Sequence, residues 1–194
     1  MSFIRYFIAL LTFLLFTAAS LVAQNKVLII AGAGGTPEFE NMFYQQAVGL
    51  HDLLIESFGY ESKDIVVLVA DTPDSIEQIY AKATAKNIRN YFVNDASGMS
   101  SQSNLFCFFI GHDSYDNEWG KFNISGKDLR DFDYSQLLNS VPFNKLLFIN
   151  MASASGTFID KLSKENRVII TATRDGFEKN ATQFASQFLE TLSN

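Results

Sequence analysis

Five short, nearly unbroken apolar runs constrain this chain most: residues 26–30 (KVLII), 64–70 (DIVVLVA), 104–110 (NLFCFFI), 146–149 (LLFI) and 167–171 (RVIIT). Each has the length of a strand and is rich in β-branched or aromatic side chains. None alternates apolar with polar, so each must hide both faces. Between them lie segments whose apolar residues recur at helical spacing, such as residues 40–58, where Phe43, Ala47, Leu50 and Leu54 form one stripe and Gly59 ends it. Strands apolar on both faces, alternating with helices, predict an α/β fold: a three-layer α/β/α sandwich with a mostly parallel sheet and right-handed crossovers.

The rest of the chain reads less sharply. Residues 72–75 (TPDS) predict a turn capping a helix to about residue 93, with Ile76, Ile79, Tyr80, Ala83, Ile88 and Phe92 inward. Residues 95–103 and 111–127 are polar and small, hence loops, with 122–124 a short edge strand in the second. Asp133 is expected to cap a short helix through Leu138. Helices are further expected over 156–162 and over 180–192, the latter carrying Phe184, Phe188 and Leu192.

The first 23 residues stand apart from this pattern. Arg5, the apolar stretch 7–18 and Leu21-Val22-Ala23 before polar Gln24-Asn25 have the order of a secretory signal peptide cut after Ala23. An uncleaved anchor is the alternative, since residues 3–23 nearly reach spanning length. Either way the expectation is one exported domain over 24–194, periplasmic or secreted, with no stable membrane insertion once the signal is removed. Without the signal, 14 Lys and Arg face 21 Asp and Glu. That balance argues against a nucleic-acid partner. Cys107 is the sole cysteine and sits inside an apolar run, so it reads as a small buried hydrophobe that can form no intramolecular disulfide. With two histidines and no paired cysteines, no metal site and no cofactor are expected.

Two run ends carry chemistry. The run at 146–149 gives way to Asn150, Ala152, Ser153, Ala154, Ser155 and Gly156, and the run at 104–110 ends in Gly111 and His112. Small residues after a buried strand place reactive side chains at the sheet's carboxyl edge. If the two strands are neighbours, His112 and Ser153 face each other as base and nucleophile. The amides of Gly111, Asp113 and Ala154 could then form an oxyanion hole. Read alone, His112 is equally compatible with a surface loop histidine. His51, on the first helix, reads as a packing or surface residue. Gly32 to Gly35, after the first run, invites a nucleotide-binding reading that lacks a glycine opening the helix and an acidic residue about 20 positions on. A tight turn beside the active edge explains these glycines as well, Gly34 and Gly35 lining a binding groove.

Taken together, Gly111-His112, the polar loop with Phe122-Asn123-Ile124, the string Ala152-Ser153-Ala154-Ser155-Gly156 and the run 168–173 resemble the caspase-like fold of clan CD, and within it the legumain-like C13 peptidases. The resemblance spans nearly all of the chain after residue 23 and is most specific over 105–173. It implies that His112 is the general base or acid. It also puts Ser153 where the family carries its cysteine nucleophile, in an Ala-Cys-x-Ser-Gly pattern.

The chain departs from the family in ways that bear on activity. A thiolate beside histidine attacks near neutral pH, whereas a serine hydroxyl needs stronger base assistance. Asp113 stands where the family has glycine, and its carboxylate would oppose an oxyanion. The first-strand loop lacks the family's arginine; Arg174, after the fifth run, is the remaining candidate for a carboxylate, with a surface ion pair as the alternative. The resemblance therefore implies an inactive homologue that binds a peptide or protein. A Ser153-His112 hydrolase and a nucleotide-binding module at Gly32–Gly35 are the alternatives.

Overall fold

The computed structural model describes residues 25–71 and 79–194; the expected signal segment and the 72–75 turn lie outside them. Five strands fall where the apolar runs predict them: β1 (Lys26–Ala31), β2 (Ile65–Val69), β4 (Asn104–Ile110), β8 (Lys145–Asn150) and β9 (Arg167–Thr171). With the two-residue β3 (Ala81–Lys82) they form a six-stranded sheet in the order β3-β2-β1-β4-β8-β9, every pair parallel. The fold is the α/β sandwich expected.

Period-two alternation divides each strand between two cores. Leu28 and Ile30 of β1, Leu105, Cys107 and Phe109 of β4, and Leu146 and Phe148 of β8 point to one face. There they meet α2 (Ala85–Asn90), α3 (Asp131–Asn139) and α4 (Thr157–Leu162) through Ile88, Tyr134, Leu138, Phe158 and Leu162. Phe109 is the hub, its ring 4.6–4.9 Å from those of Phe122, Tyr134 and Phe148. Val27, Ile29, Phe108, Ile110 and Ile149 point to the other face. Helices α1 (Pro37–Glu56) and α5 (Phe184–Ser193) cover it through Phe43, Ala47, Leu50, Leu54, Ala185 and Phe188. His51 is buried on α1, its Nδ1 2.8 Å from Asp52 Oδ1. Among the described residues no helix is long and apolar enough to cross a membrane.

Three expectations need correction. The helix over 76–93 does not exist as one element: Ala81–Lys82 joins the sheet beside β2, and Thr84 Oγ1 accepts from Asn87 N to start α2, which passes into a π turn at Tyr91–Asp95. Tyr80, expected inward, is 65% exposed. Helical spacing of Ile79, Tyr80 and Ala83 was outweighed by backbone pairing, Tyr80 N and Ala83 N donating to Val67 O and Val69 O. The 111–127 loop, in turn, contains most of a second, antiparallel sheet: β5 (Asp113–Tyr115), β6 (Gly120–Phe122) and β7 (Leu129–Arg130). Finally, Asp133 lies inside α3 and reaches back, its Oδ2 accepting from Arg130 N at 3.0 Å.

Candidate functional site

The register of β4 against β8 builds the site. Phe109 pairs with Asn150 at the end of the ladder, and Met151 N donates to Phe109 O one step on. The two strands thus run out together, and His112 and Ser153 form an isolated bridge beyond them. His112 Nδ1 lies 3.3 Å from Ser153 Oγ.

Helix α1 supplies the imidazole's surroundings. Phe39 and Phe43, one turn apart, set their rings at 4.8 and 5.0 Å from the His112 ring, both edge-on. Burial lowers the His112 pKa below its ordinary value, so the ring is neutral near pH 7 and Nδ1 can accept the serine proton. In the sequence Phe43 belongs to a packing stripe, and the i, i+4 spacing of Phe39 from it is the only signal of this role. Gly34 makes this approach possible. A side chain there would collide with the backbone of Phe39 and Glu40, so glycine lets the helix start close against the sheet edge. Gly35 has φ +74°, which turns the chain into that helix. Glu38 and Glu40 occupy its first turn, where a bound phosphate would meet two carboxylates.

Below the dyad a buried polar chain fixes the turn. Asn150 Nδ2 donates to Asp113 Oδ2 at 2.6 Å, while Ala152 N donates to Asn150 Oδ1 at 3.1 Å. Asp113 N donates to Ser153 O, and Ala154 N donates to Glu178 O at 2.8 Å. Two of the three amides that the sequence assigns to an oxyanion hole, those of Asp113 and Ala154, are therefore engaged within the protein, and use of either would require its present bond to break. The Asp113 side chain also departs from expectation: it points inward as a structural group and is not set against an oxyanion. Ser155 Oγ accepts from Ala172 N and Thr173 N, and Gly156 N donates to Thr173 Oγ1, tying the turn to the loop after β9. Gly156 packs on the Arg174 backbone so closely that no side chain fits. Ala154 has φ +55°, a left-handed conformation that is strained for a residue with a Cβ and that aims Ser153 back toward β4.

The surroundings are closed. Ser153 is 2% exposed, and the crevice beside His112, lined by Met42, Phe43, Met151 and Thr182 among others, has a volume of about 10 Å³. That holds about one water. Arg174 is not drawn in: its side chain is 89% exposed and pairs with Asp175 at 3.4 Å. Cys107 is buried in β4, and burial pushes its thiol pKa up, leaving it inert.

No family model matches the chain. It is similar to Metacaspase-7 of Arabidopsis thaliana, 27% identical over 183 residues that cover 88% of this chain and 44% of the relative. The architecture is caspase-like. The chain spans less than half the length of that relative, which is named as a metacaspase.

Proposed function

We propose that residues 24–194 form an exported caspase-like pseudopeptidase of C13 type, with Ser153 in the cysteine position and His112 retained, which binds a peptide or protein without cleaving it. One observation carries the reading: Ser153 Oγ reaches His112 at 3.3 Å, yet the hydroxyl is buried beside a crevice of about 10 Å³. Its contact is longer than the 2.5–3.0 Å or so of a strong hydroxyl hydrogen bond. Among the described residues no carboxylate bonds to the imidazole to orient it, and a serine nucleophile depends on such a third group far more than a thiolate does. The string Ala152-Ser153-x-Ser155-Gly156 supports the C13 assignment, and the order of residues 1–23 supports export.

The test uses the full chain and two chemistries. A fluorophosphonate probe should leave Ser153 unlabelled. Ser153→Cys should leave peptidase activity near background, because its thiol would sit beside the same crevice of about 10 Å³, which admits no peptide carbonyl. Labelling of Ser153 that disappears in His112→Ala would overturn the proposal in favour of the second reading, a working Ser153-His112 hydrolase. That alternative draws its support from the dyad distance and the strained turn at Ala154.

A further inference from the structure

A roomy cleft lies away from the dyad, on the face formed by the small antiparallel sheet and the start of α2. Its volume of about 770 Å³ falls within the roughly 300–1,000 Å³ of ligand-holding clefts. It shares no residue with the crevice beside His112. Ala85, Leu129 and Trp119 give it an apolar lining, and Arg89, Lys121, Lys127 and Arg130 bring four cations to it.

Three carboxylates also line the cleft, but each is tied to backbone. Asp116 Oδ1 accepts from Glu118 N and Trp119 N and closes the β5–β6 hairpin. Asp128 Oδ1 accepts from Ile124 N. Asp133 Oδ2 accepts from Arg130 N at the start of α3. Asp116 also pairs with Lys121, and Asp133 with Arg130 at 2.9 Å, so Arg89 and Lys127 are the cations left least engaged. Arg89 meets Asp133 only at 3.5 Å and its side chain is 47% exposed, while exposed Lys127 forms no ion pair among the described residues. Trp119 is held as a rigid platform: the Arg130 guanidinium and the Lys161 ammonium lie 5.1 and 5.3 Å from its ring centre, and Phe132 packs at 5.6 Å. A locally cationic, aromatic-lined cleft on a chain of net charge −6 is a local reversal of sign.

We propose that this cleft docks an acidic peptide segment, with glutamate or aspartate side chains meeting Arg89 and Lys127 and the peptide backbone lying across Trp119 and Leu129. Cations interspersed with fixed carboxylates suit charges spaced along a peptide. A continuous phosphate backbone would meet Asp116, Asp128 and Asp133, and the acidic remainder of the chain, with nothing to relieve the repulsion. The site is independent of the dyad, so labelling of Ser153 by a hydrolase probe would leave it untouched.

Trp119 is the only tryptophan in the chain, so its emission reports on this cleft alone. Titrating the full chain with hexaglutamate should give a saturable change in that emission, weakened by added salt and absent with hexalysine. Arg89→Glu combined with Lys127→Glu should weaken hexaglutamate binding about tenfold, as two exposed charge contacts become repulsive. If the double variant melts early, Lys127→Glu alone serves, since this exposed side chain has no ion-pair partner among the described residues. Absence of a saturable change, an equal response to hexalysine, or unchanged affinity in the charge-reversed variant would overturn the proposal. So would tighter binding of a single-stranded oligothymidylate, which would mark the cleft as a general polyanion site.

Discussion

Asp113 concentrates the residue-scale physics of the site. It follows His112 directly, yet its carboxyl is buried, with Oδ2 receiving Asn150 and Oδ1 without a partner among the described residues. Burial raises its pKa well above the ordinary 3.8, the Asn150 bond opposes that shift, and the charges of Asp131 and Asp128 add to it. A carboxyl whose folded pKa is raised keeps its proton in the folded state while the unfolded chain releases it. Stability is then fully present below about pH 3.8 and declines as pH rises toward the folded pKa. Asp113→Asn removes this dependence. Its urea midpoint relative to the parent should therefore move upward between pH 4 and pH 7, and a relative midpoint constant across that range would mean that Asp113 is ionised in place. Sequence alone presented this residue as an obstacle to an oxyanion. It could not reveal Asn150 beneath it, because that contact joins positions 37 apart through the pairing of β4 with β8.

At the scale of elements, the five strands were legible because a run apolar on both faces has few other ways to be buried. The short elements were not. β3, β5, β6 and β7 have two or three residues each, include Lys82, Asp113, Ser114 and Arg130, and owe their conformation to partners distant in sequence. Thr84 is the point at which the misread helix actually begins: its hydroxyl caps α2, and its backbone bridges to Ser125 at the rim of the second sheet. Thr84→Ala should cost about 1 kcal/mol in chemical denaturation, as loss of an N-cap generally does, whereas Thr84→Ser should cost far less. Equal losses in the two variants would assign the effect to the methyl group's packing and not to the cap.

At the scale of the whole molecule, the sheet leaves an uncovered margin among the described residues. β9 ends the six-stranded sheet, and on the face that α1 and α5 cover over the central strands, Val168 and Ile170 remain 56% and 38% exposed. An apolar edge with unpaired backbone groups is a template for association. Val168→Lys should lower self-association of this chain in sedimentation at high concentration while leaving its melting temperature nearly unchanged, because the side chain packs little. A large fall in melting temperature would mean that the edge is covered in solution. The molecule's acidic surface works against association elsewhere, so this strip is where it should show.

The sequence by itself determined the class of fold and the two strand ends at which chemistry could sit, since both follow from local patterns: continuous apolar runs, and small or polar residues immediately after them. Strand order belongs to the tertiary structure, and with it everything that depends on one strand lying beside another. Only the parallel pairing of β4 and β8 brings His112 within 3.3 Å of Ser153, only the seating of α1 encloses the imidazole between Phe39 and Phe43, and only the folding of the second sheet assembles the cleft around Trp119. These contacts join residues tens of positions apart, and no local pattern of hydrophobicity or turn chemistry encodes which distant partner a strand end will meet.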